Sequence, residues 1–275
     1  MTFKVFWRII VRFLNRNRYN YLTSCPIERG RVNLHWWKMH NSTQNIGDSL
    51  SPIIVEYMKK EKGINKDIAA LRTTNLLAVG SIIGATYQNS VVWGTGLLKG
   101  NRKYWWRSVR KLDIRAVRGP ETRDTLIKNG YNCPEVYGDP AIILPLIYTP
   151  KDTEKEYDYK VVPNYIFLDG QDCILSPLTN DWKSFVDELV KCKLVISSSL
   201  HGIILAESYG IPAIMLKSSL DTFKFRDYYY STGRFDIPIA NSVEEALSMK
   251  IPEVPDLTGL RQGLIDAFPY DIWKH

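Results

Sequence analysis

The chain predicts an α/β fold built as two halves that face one another across a cleft. Three observations carry this. Short apolar runs alternate with helical patterns along the chain, as strand–helix–strand units require. Several of those runs end in glycine-containing turns, the kind that line a ligand crevice at the carboxyl ends of parallel strands. Between Leu144 and Glu156 the character changes to two prolines and then charges, which marks a boundary. The expected division is 1–30 as a basic amphipathic segment, 31–150 as the first α/β half and 151–275 as the second.

Val32 to Trp37 reads as the first strand, followed by a polar loop from His40 to Asp48 and a helix from Pro52 to Lys60 ended near Gly63. Leu76 to Gly80, Val91 to Trp93 (before Gly94-Thr95-Gly96) and Ile114 to Val117 (before Arg118-Gly119-Pro120) are short buried strands. Pro120 suits the first turn of a helix running to about Asn129, with Gly130 as its stop. In the second half, Tyr165 to Leu168, Leu194 to Ile196 and Ala213 to Leu216 read as strands. Trp182 to Lys191, Leu200 to Tyr209, an aromatic-rich stretch from Phe223, Val243 to Met249 and Leu257 to Ala267 read as helices.

A net charge of +7 suggests an anionic partner: a phosphorylated small molecule, an acidic membrane or nucleic acid. Nucleic acid is the least favoured, because no zinc-finger spacing, RNA-binding signature or helix-turn-helix is visible. Cys25, Cys133, Cys173 and Cys192 lie far apart with no C-x-x-C pair, which fits isolated thiols in a reducing cytoplasm. No metal-ligand cluster is evident. No apolar run of about 18 residues is present to span a bilayer. Phe3 to Leu14 carries Lys4, Arg8 and Arg12 at four-residue spacing on an aromatic-rich apolar helix. That profile fits a segment lying on an anionic membrane surface, and equally a helix packed on the protein body. Residues 99–111 have the same flavour, with basic residues interleaved by Tyr104-Trp105-Trp106.

Four constellations could carry chemistry. His201 sits at a strand-to-helix turn in Ser197-Ser198-Ser199-Leu200-His201-Gly202, where helix-start amides and serine hydroxyls favour an anion and the imidazole can move a proton. A structural cap is the alternative. Glu207, farther along the same helix, either orients a ring of a ligand or faces solvent. Arg118, before a helix start, offers a planar fork for carboxylate or phosphate, or a salt bridge to Glu121 or Asp139. Asp48, in Asn45-Ile46-Gly47-Asp48, is either a helix N-cap or a base facing an acceptor.

Taken together, these pieces resemble the polysaccharide pyruvyl transferase family. The matching residues are Asn45-Ile-Gly-Asp48, Gly94-Thr-Gly96, Arg118-Gly-Pro120, Gly138-Asp-Pro140, Ser197-Ser-Ser-Leu-His201-Gly202 and Gly210-Ile-Pro212, with Phe223-Lys224-Phe225-Arg226-Asp227 behind them. The resemblance implies two Rossmann-like domains facing a cleft, similar to the GT-B glycosyltransferase fold. It implies phosphoenolpyruvate as donor substrate, no further cofactor, and a cyclic pyruvate ketal on a sugar as product. His201 is then the expected acid and Arg118 the group holding donor and departing phosphate. Donor contacts are expected from Arg118, Ser197, Ser198, Ser199, Leu200, Gly202 and Lys224, and acceptor contacts from Asn45, Asp48, Gly94, Thr95 and Glu207. Many family members have arginine two residues before the histidine; here Ser199 stands there, which shifts expected donor binding toward Arg118 or Lys224. The resemblance also implies a capsule or exopolysaccharide role on a polyprenyl-diphosphate-linked sugar, galactose being a common acceptor, with the enzyme peripheral at the cytoplasmic membrane's inner face.

Two rival readings stand. One is a glycosyltransferase of the same shape using a nucleotide sugar, with Glu207 near the ribose. The other is a non-catalytic assembly protein of the polysaccharide machinery, which Ser199 keeps open.

Overall fold

Among the described residues, two parallel sheets of four strands each organise the fold. The computed structural model describes residues 27–38, 43–86, 89–99, 111–164, 173–217 and 222–274. The expected basic N-terminal segment, the 102–110 run and the expected strand at Tyr165–Leu168 lie outside the described residues.

The first sheet holds β1 (Val32–His35), β2 (Thr74–Leu77), β3 (Ser90–Trp93) and β4 (Leu112–Ala116) in chain order, every pair parallel. Its middle strands, TNLL and SVVW, are buried at every position, as covered parallel sheets require. The second sheet holds β5 (Lys160–Val162), β6 (Val195–Ser197), β7 (Ala213–Leu216) and β8 (Ile239–Ala240), again parallel and in chain order. β5 and β8, of three and two residues, lie where the sequence reading placed no strand. A single buried apolar cluster runs through both halves, from Val32 and Trp93 to Val195 and Met215.

The helices are α1 (Ile46–Lys60), α2 (Pro120–Lys128), a short α3 (Leu144–Ile147), α4 (Trp182–Val190), α5 (Leu200–Ser208), α6 (Phe223–Ser231), α7 (Val243–Ser248) and α8 (Thr258–Asp266). α1 starts six residues before Pro52, which corrects both the expected loop and the expected cap. Asn45, not Asp48, is the N-cap, its side chain accepting from the Gly47 amide at 3.1 Å. Pro52 lies inside the helix, where its missing N–H costs one ladder bond but does not end it. Among the described residues, no helix is long and apolar enough to cross a membrane.

Contacts tie the two halves together at several places. Before α1, the Ile46 amide donates to Pro177 O and the Thr179 amide to Gln44 O, at 2.8 and 2.9 Å. α6 packs on α2. After β8 the chain returns to the first sheet: Trp93 Nε1 donates to Leu264 O at 2.8 Å, Arg261 Nε to Ile142 O at 2.9 Å, and the Trp273 ring stacks on Phe268. All four strands of the second sheet lie after residue 150, but residues 258–274 complete the first half's core.

Candidate active site

His201 occupies the first turn of α5. The preceding strand β6 delivers it to the sheet's carboxyl edge, and Ser199 sets the helix start in extended conformation. The ring is 9% exposed and packs directly over Gly47 in the first turn of α1. A Cβ at position 47 would occupy the space of the ring, so glycine there is what lets the two helix starts meet. His201 Nε2 faces Asp139 Oδ2 at 3.6 Å. Asp139 is wholly buried, and its other oxygen accepts from the Ala141 amide at the start of a 3-10 turn over Pro140–Ile143. Among the described residues, neither His201 Nε2 nor Asp139 Oδ2 has a hydrogen-bond partner. Each such buried polar atom costs on the order of 1–3 kcal/mol, so the arrangement is not one that stability alone would select.

A cleft of about 490 Å³ opens beside the ring, lined by His35, Trp37, Asn45, Asp48, Ser81, Ile82, Gly84, Ala85, Leu98, Asn164, Ser199, Leu200, His201 and Lys224. The lining comes from both halves. The lining is mixed: His201, Asp48, Lys224, Asn45 and Asn164 are polar, while Ile82, Ala85 and the half-exposed Trp37 and Leu98 are apolar. Burial pushes the Asp48 carboxyl up to about 6, against the opposing pull of His201 and Lys224. Burial also brings the Lys224 ammonium down to about 8, helped by the positive charge of Arg118 and resisted by Asp48. The cleft thus holds a carboxylate and an ammonium that both titrate near neutrality, beside an imidazole. Burial lowers His35 to about 4, which makes it a neutral ring at the cleft wall.

Several expected contacts lie behind the wall instead. The Arg118 side chain is 0% exposed. Its Nε and Nη2 meet Asp227 Oδ2 at 3.1 and 3.0 Å, Nη2 also donates to Leu97 O at 2.7 Å, and Nη1 donates to Ser81 Oγ at 2.6 Å. Its fork is consumed internally, by Asp227 and not by Glu121 or Asp139 as the alternative reading had it. Arg118 touches the cleft only through Ser81, whose hydroxyl accepts from the guanidinium and so keeps its own proton to donate. Thr95 is buried, its hydroxyl donating to Gly80 O and accepting from the Ile82 amide. Gly94 packs on Pro140. Ser197 Oγ is enclosed by Val162 O and the backbone of Ser199, and Ser198 Oγ accepts from the Asn164 amide. Gly202 packs on Ser197 and Val162. Of the three serines, Ser199 alone lines the cleft.

Glu207 is not at the cleft either. Both its oxygens bind Arg234 at 2.7 Å, and Oε2 also accepts from Tyr228 at 2.7 Å. A carboxylate held this way orients no ligand ring; it ties α5 to α6.

A family model for polysaccharide pyruvyl transferases matches residues 10–219, most of the chain and every cleft element up to α6. The chain belongs to the polysaccharide pyruvyl transferase family. Membership supports a pyruvyl-transfer role in polysaccharide synthesis. The chain is also 31% identical over 169 residues to an uncharacterized protein of Acanthamoeba polyphaga mimivirus. That match covers 54% of this chain and 57% of the relative's length. In fold, it is similar to a functionally uncharacterized protein from Klebsiella pneumoniae subsp. pneumoniae NTUH-K2044. The TM-score is 0.51 at 16% identity, over 88% of this chain and all of that one.

Sequence reasoning passed over Asp139, Ser81, Asn164, His35 and Trp37 as site residues. For Asp139 a signal existed, the Gly138-Asp139-Pro140 motif. The others come together only when the two sheet edges meet.

Proposed function

We propose that this chain transfers the pyruvyl unit of phosphoenolpyruvate to a sugar, closing a cyclic ketal and releasing phosphate. The observation that carries the reading is the meeting of His201, Asp48 and Lys224, from three different helices, in one cleft. Phosphoenolpyruvate brings a carboxylate and a phosphate. Lys224, the Ser81 hydroxyl and the first amides of α5 are complementary to those anions. His201 delivers a proton to the enol methylene carbon, and C2 becomes cation-like. A sugar hydroxyl attacks C2 and passes its proton to Asp48, whose raised pKa suits a base working near neutrality. A second hydroxyl then forms its bond to C2, giving its proton to the now-neutral His201, as the C2–O bond to phosphate breaks and phosphate leaves with that electron pair. General acid–base catalysis of this kind is worth about 10²–10⁴-fold. Trp37 and Leu98 offer an apolar face for the sugar ring.

The same reading takes the two halves as Rossmann-like domains arranged as in GT-B glycosyltransferases. It takes the acceptor as a polyprenyl-diphosphate-linked saccharide, galactose being the leading candidate, in capsule or exopolysaccharide synthesis. The basic N-terminal segment would hold the enzyme to the anionic inner face of the cytoplasmic membrane.

The test is incubation with phosphoenolpyruvate and a panel of simple and lipid-linked galactosides, following phosphate release and product mass together. Acceptor-dependent phosphate release with gain of one pyruvyl ketal supports the reading. Tight binding or hydrolysis of a nucleotide sugar, with no response to phosphoenolpyruvate, overturns it.

A further inference from the structure

We propose that Asp139 is the positioning residue for His201, holding the imidazole by Nε2 so that Nδ1 is the nitrogen that gives up the proton. This rests on the pyruvyl-transfer reading for its chemistry, but the pairing itself is a property of the protein alone.

Two buried atoms carry the inference. Asp139 Oδ2 and His201 Nε2 face one another at 3.6 Å, and among the described residues neither has another hydrogen-bond partner. The carboxylate is fixed from behind, because Oδ1 accepts from the Ala141 amide and Pro140 packs against Gly94. It therefore cannot turn away to find a different donor. The ring is fixed on its face by Gly47. At 3.6 Å the contact is longer than a hydrogen bond. Such bonds are commonly long without substrate and tighten when it binds.

The consequence is a fixed proton inventory. A carboxylate only accepts, so the ring must present N–H at Nε2. Nε2 has no accessible surface, which leaves Nδ1 to meet a reactant. In the charged ring both nitrogens carry protons, and the one on Nε2 points at Asp139. Transfer breaks the Nδ1–H bond and forms the C–H bond at the enol methylene, and the neutral ring keeps its proton on Nε2. Other charged groups lining the cleft with the ring are Asp48 from α1 and Lys224 from α6. Asp139 is the one that faces Nε2 directly.

The test reads the tautomer directly. Imidazole ¹⁵N shifts of the full chain are recorded without substrate at a pH where the ring is neutral, with His201→Gln used to assign the signal. The neutral ring should carry its proton on Nε2. In Asp139→Asn the amide oxygen can still accept from Ala141, turning its NH₂ to the ring, so the proton should move to Nδ1. Turnover should fall about tenfold or more while the KM for phosphoenolpyruvate changes less than about twofold, the pattern of a lost transition-state interaction. An Nδ1–H tautomer in the unaltered protein overturns the proposal without any variant. So does Asp139→Asn with unchanged tautomer or unchanged turnover. If the tautomer behaves as stated but the unaltered protein transfers nothing, the pairing stands and the pyruvyl-transfer reading falls.

Discussion

Arg118 and Asp227, at the end of β4 and in the middle of α6, form an ion pair with both side chains wholly buried and Nη2 3.0 Å from Oδ2. The Asp227 carboxylate also accepts from the Thr122 amide and hydroxyl at 2.8 and 2.6 Å. Lys224 lies one turn before Asp227 on the same helix. The pair therefore anchors the element that presents the cleft's ammonium. Gly96 makes room for it, since a Cβ there would strike the guanidinium.

Asp227→Ala should cost about 3–5 kcal/mol of stability, because it leaves a buried guanidinium without its charge partner. A urea denaturation curve measures this directly. A loss below about 1 kcal/mol would mean that Arg118 finds water or another carboxylate. Arg118→Lys should also destabilise, since an ammonium cannot serve Asp227, Ser81 and Leu97 O at once.

His201→Ala should lower kcat at least tenfold with the fold retained, judged by circular dichroism and single-turnover kinetics. Near-normal turnover would remove His201 as the acid.

Lys224→Ala should raise the donor KM, and an unchanged value would take Lys224 out of the donor site. The pH profile has a determined sign. Asp48 becomes a base as pH rises through about 6, so activity should climb there. Lys224 loses its charge as pH rises through about 8, so activity should fall there. Asp48→Asn should abolish the acid limb along with most of the turnover, and the alkaline limb should be missing from what activity Lys224→Ala retains. Persistence of both limbs in both variants would show that other groups set them.

Gly47→Ala places a methyl where the His201 ring lies. Turnover should drop about tenfold or more, comparable to moving a catalytic group by 1 Å. A crystal structure of the variant should show the ring displaced. An undisturbed ring with normal kinetics would mean that the two helix starts slide apart freely.

How much of this was legible beforehand follows the range of the interactions. α5 and β7 announce themselves through local pattern: Leu200 to Tyr209 is a helical run closed by Gly210 and Pro212, and Ala213 to Leu216 matches its strand to the residue. α1 was misread because Pro52 is a strong local breaker, overridden here by the Asn45 cap and burial of Ile46, Leu50 and Ile54. β5 and β8 are too short for any period to register. The sequence reading did single out His201, Asp48, Asn45 and Lys224, which line the cleft, because polar residues near helix starts stand out locally. Arg118 and Glu207 were misplaced for the same reason, since a charge is equally at home on a ligand or in a buried pair. Asp227 and Arg234, which decide between those outcomes, lie 109 and 27 residues away.

The bond from Trp93 to Leu264 spans 171 residues. A nascent chain leaving the ribosome would have made all four strands of the first sheet long before the segment that covers Trp93 existed. Until then, apolar surface from Trp93 would stand open to water and to other chains. The first half thus waits for the second, and the two are committed to fold as one cooperative unit with high contact order. The cleft is likewise incomplete until β6, α5 and α6 have been made.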